Sequence, residues 1–319
     1  MTTLPANTLP DGYAAAAQAP AIVVTGPTAT GKTRLAVMLA RTFHGEVLSV
    51  DSRQVYRGLD LGTGKDLAEY SEGGPAVPYH LIDVADPNER FDLYRFLELA
   101  RAAMVDMCQR GVTPVICGGT PLYLLALLNG YAMEGGEPDR NLRAELEGKS
   151  TAELLEILRA EASPELIART DTTQDRRIIR AIEIARSIED RTPPPPLTNT
   201  IVLAPQFTRA EVRERIAVRL DARLDAGLID EVRNLHDQFG MSWERLDWLG
   251  LEYRFIARHL QGLLTFQEMH DSLLAHIRQF AKRQDGWFRK FEREGHHIHW
   301  IPNGNPEMAS DLVRDFLAQ

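Results

Sequence analysis

Residues 21–33 read A-I-V-V-T-G-P-T-A-T-G-K-T, and this stretch decides the fold. Its first part, Ile22-Val23-Val24-Thr25, is β-branched and largely apolar, which is typical of a buried strand. Gly26-x-x-x-x-Gly31-Lys32-Thr33 follows and completes a P-loop pattern. Apolar residues then recur at helical spacing from Leu35 to Ala40. The segment therefore predicts a strand, a glycine-rich loop and the N-terminus of a helix.

The P-loop pattern indicates a binding site for a polyphosphate. Backbone N–H groups of such a loop point at an anion, and the helix dipole adds positive potential. Lys32 supplies a mobile positive charge, and Thr33 supplies a hydroxyl for Mg²⁺. An accidental glycine turn is the competing interpretation, and the flanking strand and helix patterns argue against it. The motif alone leaves open which polyphosphate binds and what happens to it.

Composition places the chain among ordinary soluble globular proteins. It has 319 residues, of which 44% are hydrophobic and 25% are charged. No apolar run approaches the ~18 residues that a membrane span needs, so no membrane partner is expected. The net charge of −9 argues against a general nucleic-acid coat, but it allows a local basic groove. The two cysteines, Cys108 and Cys117, fit a reducing cytoplasm and are expected in the core.

Two further predicted strands end in polar residues. Val47–Asp51 places an aspartate at the carboxyl end of a strand, and Val112–Cys117 leads into Gly118-Gly119-Thr120. In open α/β sheets, ligands bind at this edge, where the P-loop also lies. Asp51 has two possible functional roles, as a Mg²⁺ holder or as a base, and the alternative is a turn or helix cap. Thr120 is suited to contact a ligand, to cap the next helix, or to do both.

A second glycine-rich segment, residues 58–65, follows Asp51 in the chain. Gly62 and Gly64 predict a tight turn. Lys65 ends the segment and either contacts a phosphate or is solvated. The residues alone favour neither interpretation.

The C-terminal part of the chain contains a concentrated basic segment. Between His276 and Arg293 there are six Lys or Arg residues and two acids, although the protein as a whole is acidic. Binding of phosphate groups, from nucleic acid or a diphosphate, is the functional interpretation. A solvated helix face is the alternative. His296, His297 and His299 lack an acidic or Cys partner in the sequence, so no metal site is predicted there.

The predicted fold class is α/β, with a P-loop NTPase-like parallel sheet flanked by helices and a small helical insertion. Residues 1–20, rich in Ala, Pro and Thr, are expected to form a disordered tail. The remaining divisions are the first part of the core at 21–133, the helical insertion at 134–191, and the returning core with long C-terminal helices at 192–319.

Capping motifs predict where several helices begin. Ser150-x-x-Glu153 and Thr265-x-x-Glu268 read as capping boxes, and Ser163-Pro164 places an N-cap before a proline. Thr208-x-x-Glu211 caps a further helix. Its apolar spacing continues to Leu235, so one long helix is expected there.

Three classes of function fit these residues. A small-molecule kinase would use Asp51 to deprotonate a hydroxyl group. A nucleotide-driven regulatory module would use the helical insertion as its switch. In the third class, the loop holds a diphosphate that leaves, rather than a phosphoryl group that is transferred.

Six motifs in this chain resemble, in order, those of one family. The sequence is similar to the tRNA dimethylallyltransferases, also called tRNA isopentenyltransferases, over about residues 21–301. The motifs are Gly26-Pro-Thr-Ala-Thr-Gly-Lys-Thr33, Val50-Asp-Ser-Arg-Gln-Val-Tyr-Arg-Gly-Leu-Asp-Leu-Gly-Thr-Gly-Lys65, Gly118-Gly-Thr-Pro-Leu-Tyr123, Arg176-Arg-Ile-Ile-Arg-Ala-Ile-Glu183, Gly250-Leu-Glu-Tyr-Arg254 and Arg278-Gln-Phe-Ala-Lys-Arg-Gln284.

The resemblance implies transfer of a dimethylallyl group from dimethylallyl diphosphate to N6 of the adenosine 3′-adjacent to the anticodon in tRNA. It implies Asp51 as general base, Thr120 and Lys32 as further catalytic residues, and Mg²⁺ as cofactor near Thr33. The implied diphosphate ligands are Thr28, Ala29, Thr30, Gly31, Lys32, Thr33 and Arg254. The implied contacts to the tRNA anticodon stem-loop are Asp51, Ser52, Arg53, Gln54, Thr120, Arg143, Arg176, Arg177, Arg180, Arg278, Gln279, Lys282, Arg283 and Gln284.

The chain departs from the usual residues of this family at several positions. Gly64 stands where alanine is usual, and Asp66 stands where proline is usual. An adenylate isopentenyltransferase, which prenylates free AMP or ATP with the same core, is the close alternative, and a P-loop kinase is the remote one. The helical insertion and the basic segment favour tRNA. No C-terminal zinc-finger pattern is seen, which favours a bacterial-type enzyme, expected to be a cytoplasmic monomer.

Overall fold

The computed structural model describes residues 9–187 and 192–319. This part of the chain divides into two compact units. The larger unit contains residues 11–129 and 197–319, and the smaller unit contains residues 9–10, 130–187 and 192–196. The predicted insertion, 134–191, falls within the span of the smaller unit, although its last residues, 188–191, lie outside the described part.

The larger unit is built on a six-stranded sheet in which every strand pair is parallel. The strand order is β3-β2-β4-β1-β5-β6. The strands are β1 (Ala21–Val24), β2 (Gly45–Ser49), β3 (Tyr79–His80), β4 (Thr113–Cys117), β5 (Thr200–Gln206) and β6 (Ile298–Pro302).

Helices connect and flank these strands, and four of them, α6 to α9, lie in the smaller unit. In chain order they are α1 (Tyr13–Ala16), α2 (Lys32–Thr42), α3 (Ala68–Ser71), α4 (Leu93–Gln109), α5 (Pro121–Leu128), α6 (Arg140–Leu146), α7 (Thr151–Glu161), α8 (Pro164–Arg169), α9 (Asp175–Arg186), α10 (Arg209–Asp225), α11 (Leu228–Asp237), α12 (Trp243–Leu249), α13 (Leu251–Leu260), α14 (Phe266–Arg293) and α15 (Pro306–Leu317).

The strand that precedes the P-loop lies near the centre of the sheet. β1 pairs with β4 on one side and β5 on the other, so that Val24 lies beside both Cys117 and Leu203. Helix α2 packs against the sheet through Leu35 and Leu39, which share a core cluster with Val24. Burial of each such side chain stabilises the fold by about 1.5–3 kcal/mol. This packing brings the carboxyl ends of β1, β2 and β4 to one edge of the sheet, as the sequence predicted.

The smaller unit is helical and has its own apolar core, in which Leu154 and Leu158 of α7 pack against Ile178 and Ile182 of α9. Its helices begin where the capping motifs predict. Ser150 and Glu153 form a complete capping box before α7. Ser163 accepts a hydrogen bond from the Leu166 N–H at the start of α8.

The prediction of a disordered tail over residues 1–20 is wrong for its second half. Residues 13–16 form α1, and Tyr13 and Ala16 are buried in the larger unit. The Arg101 guanidinium of α4 lies 5.7 Å from the centre of the Tyr13 ring. Alanine and tyrosine need only a small apolar surface to pack on, and α4 provides it. Residues 1–8 lie outside the described part of the chain.

The single long helix expected from Thr208 to Leu235 is also wrong, because the structure divides it into α10 and α11. The break lies at Gly227, whose φ of 99° is in the left-handed region. The capping box at Thr208 and the one at Thr265 are present as predicted. Among the described residues, no helix is long and apolar enough to cross a membrane.

Candidate active site

The P-loop connects β1 to α2, and two of its side chains form hydrogen bonds with its own backbone. Gly31 has a φ of 81° and places Lys32 as the first residue of α2. The Pro27 carbonyl accepts hydrogen bonds from Lys32 Nζ and from the Thr30 hydroxyl, each at 2.8 Å. Ala29 also adopts a left-handed φ, of 63°. The loop thus surrounds the N-terminus of α2, where backbone N–H groups attract an anion.

An open cavity of about 310 Å³ lies at this edge of the sheet within the larger unit. It is lined by residues from the P-loop, from the turn after β2, from the end of β4 and from α14. Thr30 belongs to the same loop but does not line the cavity. The lining residues that the sequence predicted are Thr28, Ala29, Gly31, Lys32, Thr33, Asp51, Ser52, Arg53, Gln54, Thr120 and Gln284.

Asp51 occupies a turn immediately after β2. Its Oδ1 accepts backbone hydrogen bonds from Arg53 at 2.8 Å and Gln54 at 3.2 Å. The Thr120 hydroxyl oxygen accepts a hydrogen bond from the Ser52 backbone N–H at 3.0 Å. Thr120 precedes α5, but its side chain makes no capping bond to that helix. These two hydrogen bonds to Oδ1 fix the orientation of the Asp51 carboxylate.

Gly118 allows the ends of β2 and β4 to approach closely. A Cβ atom at this position would lie 2.1 Å from the carbonyl oxygen of Val50, so no other residue fits without moving the backbone. The Thr120 N–H donates to the same carbonyl at 3.3 Å. The Gly-Gly-Thr strand end thus packs closely against Val50, the residue after β2, and its predicted contact with a ligand stays a prediction.

Lys32 lines the cavity and is partly buried. Burial, the largest effect, and the positive charge of Arg219 together lower the pKa of Lys32 to about 8, while the charge of Asp51 acts in the opposite direction. Burial likewise raises the pKa of the Cys117 thiol to about 12, so this thiol is protonated at neutral pH. An anion beside Lys32 would favour its charged form.

Gln284 connects the C-terminal helix α14 to the P-loop. Its Oε1 accepts a hydrogen bond of 2.9 Å from the Thr28 backbone N–H, and the side chain is buried. The resemblance implied a tRNA contact for Gln284, whereas the structure places it in the wall of the cavity. One N–H of the loop is thereby already satisfied by the protein.

The basic side chains of the segment do not line the cavity, which takes only Ile277, Phe280 and Gln284 from it. Gln279, Lys282 and Arg283 are exposed on α14. Arg278 is partly buried, and its Nη2 donates to the carbonyl of Arg213 at 3.5 Å. Lys282 and Arg283 therefore present their charges to solvent, whereas the uncharged Gln284 faces the cavity.

The arginines implied for the helical insertion lie in the smaller unit and pair with its acids. Glu183 accepts hydrogen bonds from Arg143 at 2.7 and 2.9 Å and from Arg180 at 3.1 Å. Arg177 forms an ion pair with Asp171, and Arg176 is exposed.

The structure does not bring Arg254 to the cavity. Its Nε and Nη2 donate to the backbone carbonyl of Asp247 at 3.0 and 2.9 Å, and its Nε lies 3.2 Å from the Asp247 carboxylate. The side chain is bound to α12, so its implied role as a diphosphate ligand is not supported. Glu252, which stands two residues before Arg254 in the same motif, does line the cavity.

Sequence reasoning missed two arginines of α10 that line the cavity, Arg219 and Arg223. Arg219 donates to the Thr28 hydroxyl at 2.6 Å. The spacing of Arg215, Arg219 and Arg223 on a predicted helix was the available signal. Glu69 was missed as well, and burial, followed by the charge of Asp66, raises the pKa of its carboxyl to about 7.

Lys65 has neither of the two roles that the sequence suggested. Its side chain is 1% exposed. Nζ donates to the Tyr56 carbonyl at 2.8 Å and to Asp60 at 2.6 Å, and it also pairs with Asp83. Lys65 therefore stabilises the segment beside the cavity and does not line the cavity itself.

Comparison with protein families bears on what this cavity does. The family described as IPP transferase matches residues 54–291, which is most of the chain, and the family described as isopentenyl transferase matches residues 20–74. The chain belongs to the IPP transferase family. The resemblance drawn from the six motifs is thereby confirmed.

Individual members of the family can be aligned with this sequence along nearly its whole length. Two similar relatives are tRNA dimethylallyltransferase 1 of Syntrophus aciditrophicus and tRNA dimethylallyltransferase 2 of Pelobacter propionicus. The first is 43% identical over 92% of this chain and 97% of its own length. The second is 47% identical over 90% of this chain and 91% of its own length.

A solved structure shares the fold of this family member. The tRNA isopentenylpyrophosphate transferase of Bacillus halodurans superposes with a TM-score of 0.68 at 31% identity. The superposition covers 94% of this chain and 97% of the other. The predicted α/β fold class, with a parallel sheet and flanking helices, is confirmed.

Proposed function

We propose that this protein transfers a dimethylallyl group from dimethylallyl diphosphate to N6 of the adenosine 3′-adjacent to the anticodon in tRNA. The observation that carries the proposal is one cavity lined both by the P-loop and by the Asp51–Thr120 turn. A carboxylate and an anion site in one cavity suit a reaction that loses a proton and a diphosphate. Two relatives, 43% and 47% identical to this chain, are tRNA dimethylallyltransferases, which supports the same assignment.

Asp51 serves as the general base in this proposal. The adenine N6 nitrogen attacks C1 of the donor, the C1–O bond breaks, and diphosphate leaves with the bonding electrons. N6 is a weak nucleophile, so its proton must be removed as the new bond forms, and the Asp51 carboxylate accepts it. The backbone N–H groups of Arg53 and Gln54 hold Oδ1, which leaves Oδ2 to receive the proton.

The P-loop holds the diphosphate as its negative charge grows. Loop N–H groups and Lys32 surround the N-terminus of α2 and lower the energy of the departing anion. The site also fits Mg²⁺: the Thr33 hydroxyl lines the cavity, and Mg²⁺ commonly takes its remaining ligands from phosphates and water. When bound, the metal neutralises part of the diphosphate charge. The described residues contain no cluster of three or more acidic, His or Cys side chains that could hold a metal ion.

The basic segment of α14 is our proposed contact for the phosphates of the anticodon stem. Lys282 and Arg283 are exposed there and make no contribution to the cavity wall. In the smaller unit, Arg176 is exposed, and Arg143, Arg177 and Arg180 are further candidates for backbone contacts. A stacked adenine cannot reach Asp51, so the base must leave the anticodon loop stack to react.

One assay separates this function from its two alternatives. The protein is incubated with labelled dimethylallyl diphosphate and Mg²⁺, and with tRNA, AMP, or ATP plus small alcohols as acceptors. We expect label in tRNA, at the adenosine 3′ of the anticodon, and none in AMP. Label only in AMP would indicate an adenylate isopentenyltransferase. Phosphate transfer to an alcohol without any prenyl transfer would indicate a kinase.

The pH dependence of diphosphate binding tests whether the ammonium group of Lys32 contacts the diphosphate. Because the pKa of Lys32 is lowered to about 8, its ammonium group loses its proton above that pH and attracts an anion less. We expect the affinity for Mg²⁺-diphosphate to fall as pH rises from 7 to 9, by up to about tenfold per pH unit above 8. Calorimetric titration at several pH values measures this slope.

Lys32→Met provides the control, because diphosphate itself also titrates in this range. The variant should bind more weakly at pH 7, and its pH profile should show only the slope due to the ligand. Identical slopes for the variant and the natural protein would contradict the assignment.

A further inference from the structure

Helix α10 carries a row of three arginines, Arg215, Arg219 and Arg223. Their four-residue spacing puts the three side chains on one side of the helix. Arg215 Nε donates to the Ala29 carbonyl at 2.8 Å, and Arg219 Nη2 donates to the Thr28 hydroxyl at 2.6 Å. The first two members of the row are thus held by the P-loop.

Arg223, the third member, is held differently. It is 9% exposed and forms part of the cavity wall. Its Nη2 is buried and makes no hydrogen bond, and Oδ1 of the partly exposed Asp66 lies 3.5 Å from it. A buried charged donor that is held by an ion pair of 3.5 Å and by no hydrogen bond is poorly satisfied, so its place in a cavity wall suits an anionic ligand.

Gly64 makes room for this guanidinium. A Cβ atom on Gly64 would lie 1.9 Å from Nη2 and 2.9 Å from Cζ of Arg223. The Gly64 carbonyl accepts a hydrogen bond from the Gln54 side chain at 2.9 Å, and the Gln54 N–H donates to Asp51. These contacts connect Arg223 to the Asp51 turn through Gly64 and Gln54, whereas Arg219 contacts the P-loop at Thr28.

We propose that Arg223 is a further donor-site residue, whose guanidinium contacts the phosphate group that carries the carbon–oxygen bond to be broken. The inference rests on the proposed function, in which the P-loop holds the diphosphate and the reacting carbon faces Asp51. As that bond breaks, negative charge grows on the phosphate oxygen nearest Asp51. A pre-positioned guanidinium there stabilises the transition state more than the bound donor.

The charges around the row agree with this role. Arg219 and Arg223 repel each other, and burial together with this repulsion lowers the pKa of Arg219 to about 10. Glu252 and Asp66 offset part of the repulsion. A diphosphate between the two guanidinium groups would remove it, because each group then has an anionic oxygen as partner.

A mutant cycle on Arg223 and Gly64 tests the inference. Arg223→Met keeps the apolar stem and removes the guanidinium. We expect it to lower the single-turnover rate of prenyl transfer at saturating donor by about 10- to 100-fold. Gly64→Ala should cause a similar loss, because its Cβ displaces the same group. In the Arg223→Met background, Gly64→Ala should lower the single-turnover rate by less than about twofold, because the guanidinium is already absent.

The affinity for Mg²⁺ and inorganic diphosphate is measured in parallel by calorimetry, which requires neither tRNA nor transfer. Arg223→Met should weaken this binding at least tenfold, whereas Arg213→Met, an exposed arginine of the same helix, should leave it unchanged. Thermal unfolding without ligand verifies that each variant is folded. Diphosphate affinity and rate both equal to those of the natural protein in Arg223→Met would overturn the inference.

The two proposals fail in different ways. If the natural protein transfers no label to any tRNA, the proposed function is refuted, while the diphosphate affinities still decide whether Arg223 binds the anion. If Arg223→Met binds diphosphate with the natural affinity and transfers label to tRNA at the natural rate, only the role of Arg223 is refuted. Equal losses from Gly64→Ala in both backgrounds would also refute it, since Gly64 would then act independently of the guanidinium.

Discussion

Replacement of Asp51 by asparagine should lower the rate of prenyl transfer by about 10²- to 10⁴-fold, the usual contribution of a general base. Asparagine keeps an Oδ1 that accepts the N–H groups of Arg53 and Gln54, so the turn should persist. The amide cannot accept the N6 proton as a carboxylate does. Single-turnover transfer of label from dimethylallyl diphosphate to tRNA measures the effect.

Binding of the donor separates the base role from a binding role. Asp51→Asn should leave the affinity for Mg²⁺-diphosphate within about threefold of the natural value, because only the base is lost. Asp51→Ala is the matched variant, which loses both the base and the turn acceptor. A normal transfer rate at saturating donor, combined with weak donor binding, would assign Asp51 to binding and exclude it as the base.

Lys65→Met should reduce the free energy of unfolding by about 1–3 kcal/mol, because a buried charged donor would be removed from partners that are themselves partly exposed. The Asp60 and Asp83 carboxylates and the Tyr56 carbonyl would all lose their shared donor. Since Lys65 does not line the cavity, the folded variant should bind diphosphate with unchanged affinity. Urea denaturation and calorimetry measure the two quantities on the same sample.

Lys282→Met is the control for this experiment. The same substitution on an exposed lysine should change the free energy of unfolding by less than about 0.5 kcal/mol. A Lys65→Met protein of normal stability that binds diphosphate weakly would instead support the phosphate contact suggested by the sequence.

The sheet could be predicted from local patterns because each of its main features is encoded within a few residues. The apolar β-branched run of β1 and the glycines after it place the strand and the loop together, and the capping boxes at Ser150 and Thr265 place helix starts. The break at Gly227 was missed because the apolar periodicity continues across it. The packing of Tyr13 was missed because composition alone does not reveal a surface on which it can pack.

The site could be predicted only where its residues belong to recognisable motifs. Asp51, Thr120 and the P-loop were found because each follows a predicted strand. Arg219 and Arg223 come from α10, some 190 residues after the P-loop, and only the tertiary fold brings them to it. The motif that contains Arg254 reaches the cavity through Glu252, while Arg254 itself pairs with Asp247, which the order of residues in the motif does not reveal.

The position of β1 between β4 and β5 has a consequence for synthesis of the protein in the cell. Val24 pairs with Leu203, and the whole helical unit is translated between them. At about 5–20 residues per second, one edge of β1 stays without its final neighbour for roughly 10 to 35 s. During that interval the unpaired edge of β1 can pair with another strand, so we expect the nascent chain to bind chaperones. The anion site completes still later, because Gln284 must emerge from the ribosome before it can reach Thr28.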